Sequence, residues 1–128
     1  MNPEDTMSDT PLSLTWADWS KAPETWNGTV EGHRLGTDVS VMFYTTDEVG
    51  AGPGLHTHPY DEIFVIREGR ALFTVGEEEI TAQKGDVLRA PAGVWHRFHN
   101  LGPGRLETTD LHLAPDITVT WPDKGDAT

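Results

Sequence analysis

The 128-residue chain contains no cysteine. Disulfides, thiolate metal sites, iron–sulfur clusters and cysteine nucleophiles are therefore excluded. Basic residues are scarce: 9 Lys and Arg stand against 21 Asp and Glu, a formal net charge of −12. Phosphate backbones and anionic lipid surfaces attract clustered positive charge, so neither nucleic acid nor membrane is an expected partner. Long apolar runs are missing as well. Residues 63–66, one of the longest, number four, against the roughly 20 that a spanning helix needs. The opening Met-Asn-Pro-Glu-Asp-Thr lacks the positive start and apolar segment of a secretory signal, and a cytoplasmic protein is the expectation.

What the chain does have is turn chemistry: 13 Gly and 9 Pro punctuate short apolar windows. Val39, Val41 and Phe43 alternate with Ser40, Met42 and Tyr44, the period-two signature of a strand. Further strand-like runs occupy 63–66, 71–75, 80–82, 87–89 and 94–99, with a longer run ending at Leu113 and a last one at 117–121. About nine or ten short strands at this spacing indicate an all-β antiparallel sandwich or small barrel. One domain over residues 13–122 is expected, with solvated tails at 1–12 and 123–128. The single helical candidate is 15–21, where Thr15 stands as a cap with Asp18 three residues on. The favoured reading is an irregular arm whose Trp16, Trp19 and Trp26 cover a barrel edge.

Five residues bear on chemistry: His56, His58, Glu62, His96 and His99. His56-Thr57-His58 on an extended segment projects both imidazoles to one side, where they can converge on one atom. Glu62 shares their even parity, provided that Pro59-Tyr60-Asp61 does not break the alternation. Phe64 and Ile66 then continue the interior face. A third imidazole has to come from another strand, and His96 or His99 is available. Neutral imidazoles with one carboxylate suit a first-row divalent metal.

The spacing is also familiar. Gly50, five residues, His56-Thr57-His58, three residues, Glu62, six residues, Gly69 resembles the first motif of the cupin superfamily. Gly85, five residues, Pro91-Ala92-Gly93, two residues, His96, three residues, Asn100 resembles the second, and the 15-residue spacer 70–84 is similar to that of compact single-domain cupins. The resemblance implies a double-stranded β-helix, or jelly-roll barrel, holding one six-coordinate divalent transition metal (iron, manganese, nickel, copper or zinc). Its ligands would be His56, His58, Glu62 and His96. It also implies a general-base role for Glu62, which can leave the ion and take a proton from a bound hydroxyl. Gly69 and Gly85 fall where turns need positive φ, and Asn100 is expected to close a turn through backbone bonds.

His99 has odd parity relative to His96 and is expected to face away. His112 shares parity with Asp110 and Thr108. It is a pocket or supporting group if the polar side of that strand faces inward, and a solvent-facing residue otherwise. Tyr44, Met42, Phe64, Phe73 and Phe98, with His112, are the expected lining of a small-molecule substrate pocket. Phe64 and Phe98 rank highest, because they share inward parity with the ligands. Ile63 and Val65 make the other face of their strand apolar, so a homodimer partner or the Trp-rich arm is expected to cover it. The leading functional expectation is a dioxygenase-like metalloenzyme acting on a small phenolic, enol or carboxylate substrate. A cupin isomerase, lyase or decarboxylase is the near alternative. A non-catalytic metal- or small-molecule-binding module is the alternative from another class, because fold alone does not specify reaction.

Overall fold

A computed structural model describes residues 10–122. Of the expected tails, 1–9 and 123–128 lie outside the described residues, while 10–12 are exposed. After a one-turn helix α1 (Trp16–Trp19), the strands run β1 (Gly28–Val30), β2 (Ser40–Thr46), β3 (Glu62–Glu68), β4 (Arg70–Val75), β5 (Glu78–Gln83), β6 (Val87–Ala90), β7 (His96–Asn100) and β8 (Leu106–His112). All pairings are antiparallel. One sheet has the order β1-β2-β8-β3-β6 and the other β5-β4-β7, the double-sheet jelly roll that a strand-and-turn pattern of this kind supports.

Alternation sets the faces. In β3, Glu62, Phe64 and Ile66 are buried while Ile63 and Val65 are half-buried. Gly69 turns the corner between β3 and β4 at φ 82°, and a Cβ there would meet the Arg105 carbonyl oxygen at 2.2 Å. Only glycine satisfies both demands. The inner faces of the two sheets meet in a core built on Phe64, Phe73, Phe98, Ile66 and Leu106. Phe73 stacks on Phe98 with centroids 4.7 Å apart and lies 4.8 Å from Phe64. It is completely buried. Phe73→Ala is therefore expected to destabilise the fold by about 3–5 kcal/mol. Urea unfolding followed by circular dichroism reads this out, and a loss below about 1 kcal/mol would contradict the packing described.

Three local readings of the sequence need correction. The 15–21 segment is not wholly irregular, because Thr15 and Asp18 complete a reciprocal cap: Asp18 N–H donates to Thr15 Oγ1 at 3.2 Å and Thr15 N–H to Asp18 Oδ2 at 2.8 Å. The arm around this turn does cover the sheet. Trp19 stacks on Phe43 at 3.7 Å, Trp26 Nε1–H donates to the Thr108 carbonyl at 3.1 Å, and Arg67 lies 3.6 Å over the Trp26 ring. The segment 117–121 is no strand; its strand-type pairing is a single bridge, Thr57 to Thr120, beside hydrogen bonds to Tyr60 and Glu31. Its alternation reflects Ile117, Val119 and Trp121 turning to a cavity mouth, not a ladder. Conversely, β1 and a 3-10 helix at Gly32–Leu35 carry too few apolar residues to announce themselves, which leaves eight strands among the described residues.

Candidate metal centre

Antiparallel register brings the polar residues together. His56 and His96 form an isolated bridge, His56 N–H donating to the His96 carbonyl at 3.0 Å and His96 N–H to the His56 carbonyl at 2.9 Å. Their rings consequently lie 4.4 Å apart. Gly93, at φ 77° in the turn before β7, anchors the same region by donating its N–H to the His58 carbonyl. Glu62 opens β3 directly opposite His112, the last residue of β8. His56, His58, Glu62 and His96 are all buried, and one donor atom from each lies within 4.8 Å of the others.

Each of the three rings is oriented by a carbonyl two residues away. Nδ1–H of His56 donates to Gly54 at 2.7 Å, that of His58 to Tyr60 at 2.8 Å, and that of His96 to Val94 at 3.0 Å. A neutral imidazole bonded in this way presents its Nε2 lone pair inward. His58 Nε2 lies 2.8 Å, and His96 Nε2 3.3 Å, from Glu62 Oε1. A lone pair aimed at a carboxylate oxygen is repulsive unless a proton or a cation sits between them. The donor set therefore fits a divalent ion, and borderline nitrogen with one hard oxygen is the chemistry such ions take.

Burial opposes ionisation of Glu62, yet in the metal-free site, where a proton takes the place of a cation between the groups, hydrogen bonds from His112, His58 and His96 outweigh it and hold the carboxyl well below the usual carboxylate range. Burial lowers His56. It works against protonation of His96 too, but the Glu62 carboxylate and the Val94 carbonyl win and raise it. His112 belongs to the same network. Its Nε2–H donates to Glu62 Oε2 at 3.0 Å, while its Nδ1 accepts from the Tyr60 hydroxyl at 2.8 Å. The Tyr60 ring in turn stacks on His58 at 4.3 Å. The polar side of β8 thus faces inward, which decides between the two readings of His112.

Above these groups opens a cavity of about 140 Å³. Met42, Phe64, Phe98 and His112 line it, whereas Tyr44 and Phe73 do not. Register explains the difference: Tyr44 pairs with Thr108, one layer deeper than Met42 opposite Asp110, and Phe73 is sealed behind Phe98 in the second sheet. Asp110, Ile117, Val119 and Trp121 also line the cavity. Even parity with His112 points to Asp110, but nothing in the sequence marks the returning segment as a wall. His99 faces away from the site beside buried Phe98 and Asn100. Asn100 does close a turn, its Nδ2 donating to the Gly104 carbonyl at 2.9 Å and its Oδ1 accepting from Gly102 N–H at 2.9 Å.

A family model described as a cupin domain matches residues 43–112. Over 64 residues the chain is 38% identical to an uncharacterised protein of Streptomyces coelicolor, covering 50% of this chain and 60% of that one. Over 48 residues it is 46% identical to acireductone dioxygenase of Xenopus tropicalis, covering 34% of this chain and 27% of the enzyme. The chain thus spans less than two thirds of these relatives. An uncharacterised Klebsiella pneumoniae protein with a double-stranded beta-helix domain superposes with a TM-score of 0.67 at 16% identity, covering 88% of this chain and 97% of that one. Oxalate decarboxylase from Bacillus subtilis superposes at 0.66 and 22% identity, covering 73% and 26%. At these identities the structural likenesses establish the fold alone. Among the described residues no helix is long and apolar enough to cross a membrane.

Proposed function

The chain belongs to the cupin family, and from that premise we propose that it is a mononuclear divalent-metal enzyme of dioxygenase type acting on a small oxygenated substrate. His56, His58, Glu62 and His96 are its metal ligands. The observation that carries this reading is the convergence of three buried imidazoles and one carboxylate, with one donor atom of each within 4.8 Å of the others. The partial likeness to acireductone dioxygenase supports the oxidative version. The cavity supports a small substrate, being below the roughly 300–1,000 Å³ usual for ligand pockets.

A bound divalent ion supplies Lewis acidity and, where it is redox-active, a route for electrons to dioxygen. The rest is the work of the chain. Glu62, whose Oε2 accepts from His112 Nε2–H, is the proton acceptor. A carboxylate is a weak base beside an enol or phenol, so it would take the proton only from a hydroxyl that the bound cation has acidified. The His112 Nε2–H steadies the carboxylate at Oε2, and Tyr60 fixes the His112 tautomer from the other side. Phe64, Phe98, Ile117 and Val119 exclude water from the reacting region.

Elemental analysis of purified protein, before and after chelation, is the first test. About one transition-metal ion per chain, removable by chelator, is expected, followed by oxygen uptake with members of an enol, phenol and diketone panel. Absence of any bound cation would remove the metal assignment. A bound cation with no oxygen consumption would replace the oxidative reading with non-oxidative chemistry or with simple binding. A homodimer is likewise proposed, and sedimentation equilibrium decides it.

A further inference from the structure

We infer that Asp110 is a recognition group that hydrogen-bonds an uncharged hydroxyl or carbonyl oxygen at the far end of the bound small molecule. The inference rests on the proposed use of the cavity as a substrate site, and it adds which substrates that site prefers.

Asp110 lies opposite Met42 on one side and Phe64 on the other, whereas His112 lies opposite Ser40 and Glu62. Two residues of strand, about 6.6 Å, therefore separate the Asp110 layer from the Glu62 layer. Asp110 is 4% exposed and lines the cavity together with apolar Met42, Phe64 and Phe98. Its Oδ1 has no hydrogen-bond partner. Burial, and then the nearby Glu62 charge, push the carboxyl well above the usual range.

A buried polar atom without a partner is destabilising, so its persistence needs a reason. Here the residue that carries the orphaned oxygen lines a cavity whose other end carries the candidate metal ligands. A protonated carboxyl donates one hydrogen bond and accepts another, which suits a hydroxyl or carbonyl tip. An anionic tip would be desolvated among apolar walls and repelled by the Glu62 charge. The preferred ligand therefore has an oxygenated head at the Glu62 end, a short apolar middle, and an uncharged oxygen roughly 6 Å away.

The matched probes are butanohydroxamate and 4-hydroxybutanohydroxamate, metal-chelating heads with a methyl or a hydroxyl tip, titrated calorimetrically into cobalt-loaded protein. The wild type is expected to favour the hydroxyl tip by about 5–10-fold, as for one net hydrogen bond. Asp110→Asn keeps that preference, Asp110→Leu abolishes it, and cobalt content is the same in all three. Equal affinities in the wild type, or a preference that survives in Asp110→Leu, would overturn the inference. A second arm needs no metal. Metal-free Asp110→Leu should melt at or above the wild-type temperature, because an orphaned polar group has been removed. A lower melting temperature would make Asp110 a structural support and also overturn the inference. If no cation binds any of the three proteins, the metal reading falls, and the metal-free arm alone decides on Asp110.

Discussion

His96→Ala is expected to lower transition-metal affinity by more than about 100-fold and to abolish turnover, while the barrel still folds. Loss of a residue that merely supports a ligand costs roughly 10–100-fold in affinity, and His96 offers a donor atom itself. The other effects of the change are modest. The backbone bridge to His56 uses main-chain groups and survives. The ring's contacts are with Glu62, His56, His58, Phe64 and the Val94 carbonyl. Metal titration of chelator-stripped protein, with circular dichroism as a fold control, measures the loss. A His96→Ala protein that retained full metal affinity would show that the four side chains share no ion.

Glu62→Gln should separate holding the ion from using it. The amide retains an oxygen for the cation but cannot accept the substrate proton, so near-normal metal content with turnover reduced by about 10²–10⁴-fold is expected. Full activity in oxygen-uptake assays would end the base assignment. The same variant has a signature in acid. In the metal-free wild type the Glu62 carboxyl is held below its ordinary value of 4.5. Its contribution to stability is therefore present above that pH and is lost as pH falls toward the lowered folded value. Glu62→Gln lacks this term, so its stability should fall less steeply below about pH 4.5 in acid-unfolding curves. Curves of equal slope would show that the histidine bonds to Glu62 add no net stability.

The parts of the fold and site that were legible before any coordinates share a simple physical origin. Parity along an extended chain is rigid, so His56 and His58 point one way; a bend at 59–60 interrupts the alternation before Glu62, and the motif spacing supplied Glu62 and His96. Turn glycines such as Gly69 were readable because positive φ leaves few alternatives. The illegible parts are those where burial overrides hydrophobic pattern. On β8 the inward face is Thr108, Asp110 and His112, while Leu111 is only half-buried. Hydrophobicity alone would turn that strand inside out. Ile117, Val119 and Trp121 look like strand residues for a similar reason, because alternation records which side is apolar and not whether a neighbouring strand is paired. Tyr44 and Phe73 were placed near the ion by residue type, but depth along the barrel depends on register, which a single strand does not encode.

The three imidazole rings take their orientation from carbonyls at Gly54, Tyr60 and Val94, none more than two positions away along the chain. Instructions for aiming each donor are thus written into two brief stretches of backbone, and distant loops have no say in them. Such a cassette can be inherited intact while its surroundings drift, since any scaffold that sets the two stretches side by side reproduces the same convergence. Rotational freedom is surrendered when the chain folds, so an arriving ion finds its coordination shell already half assembled.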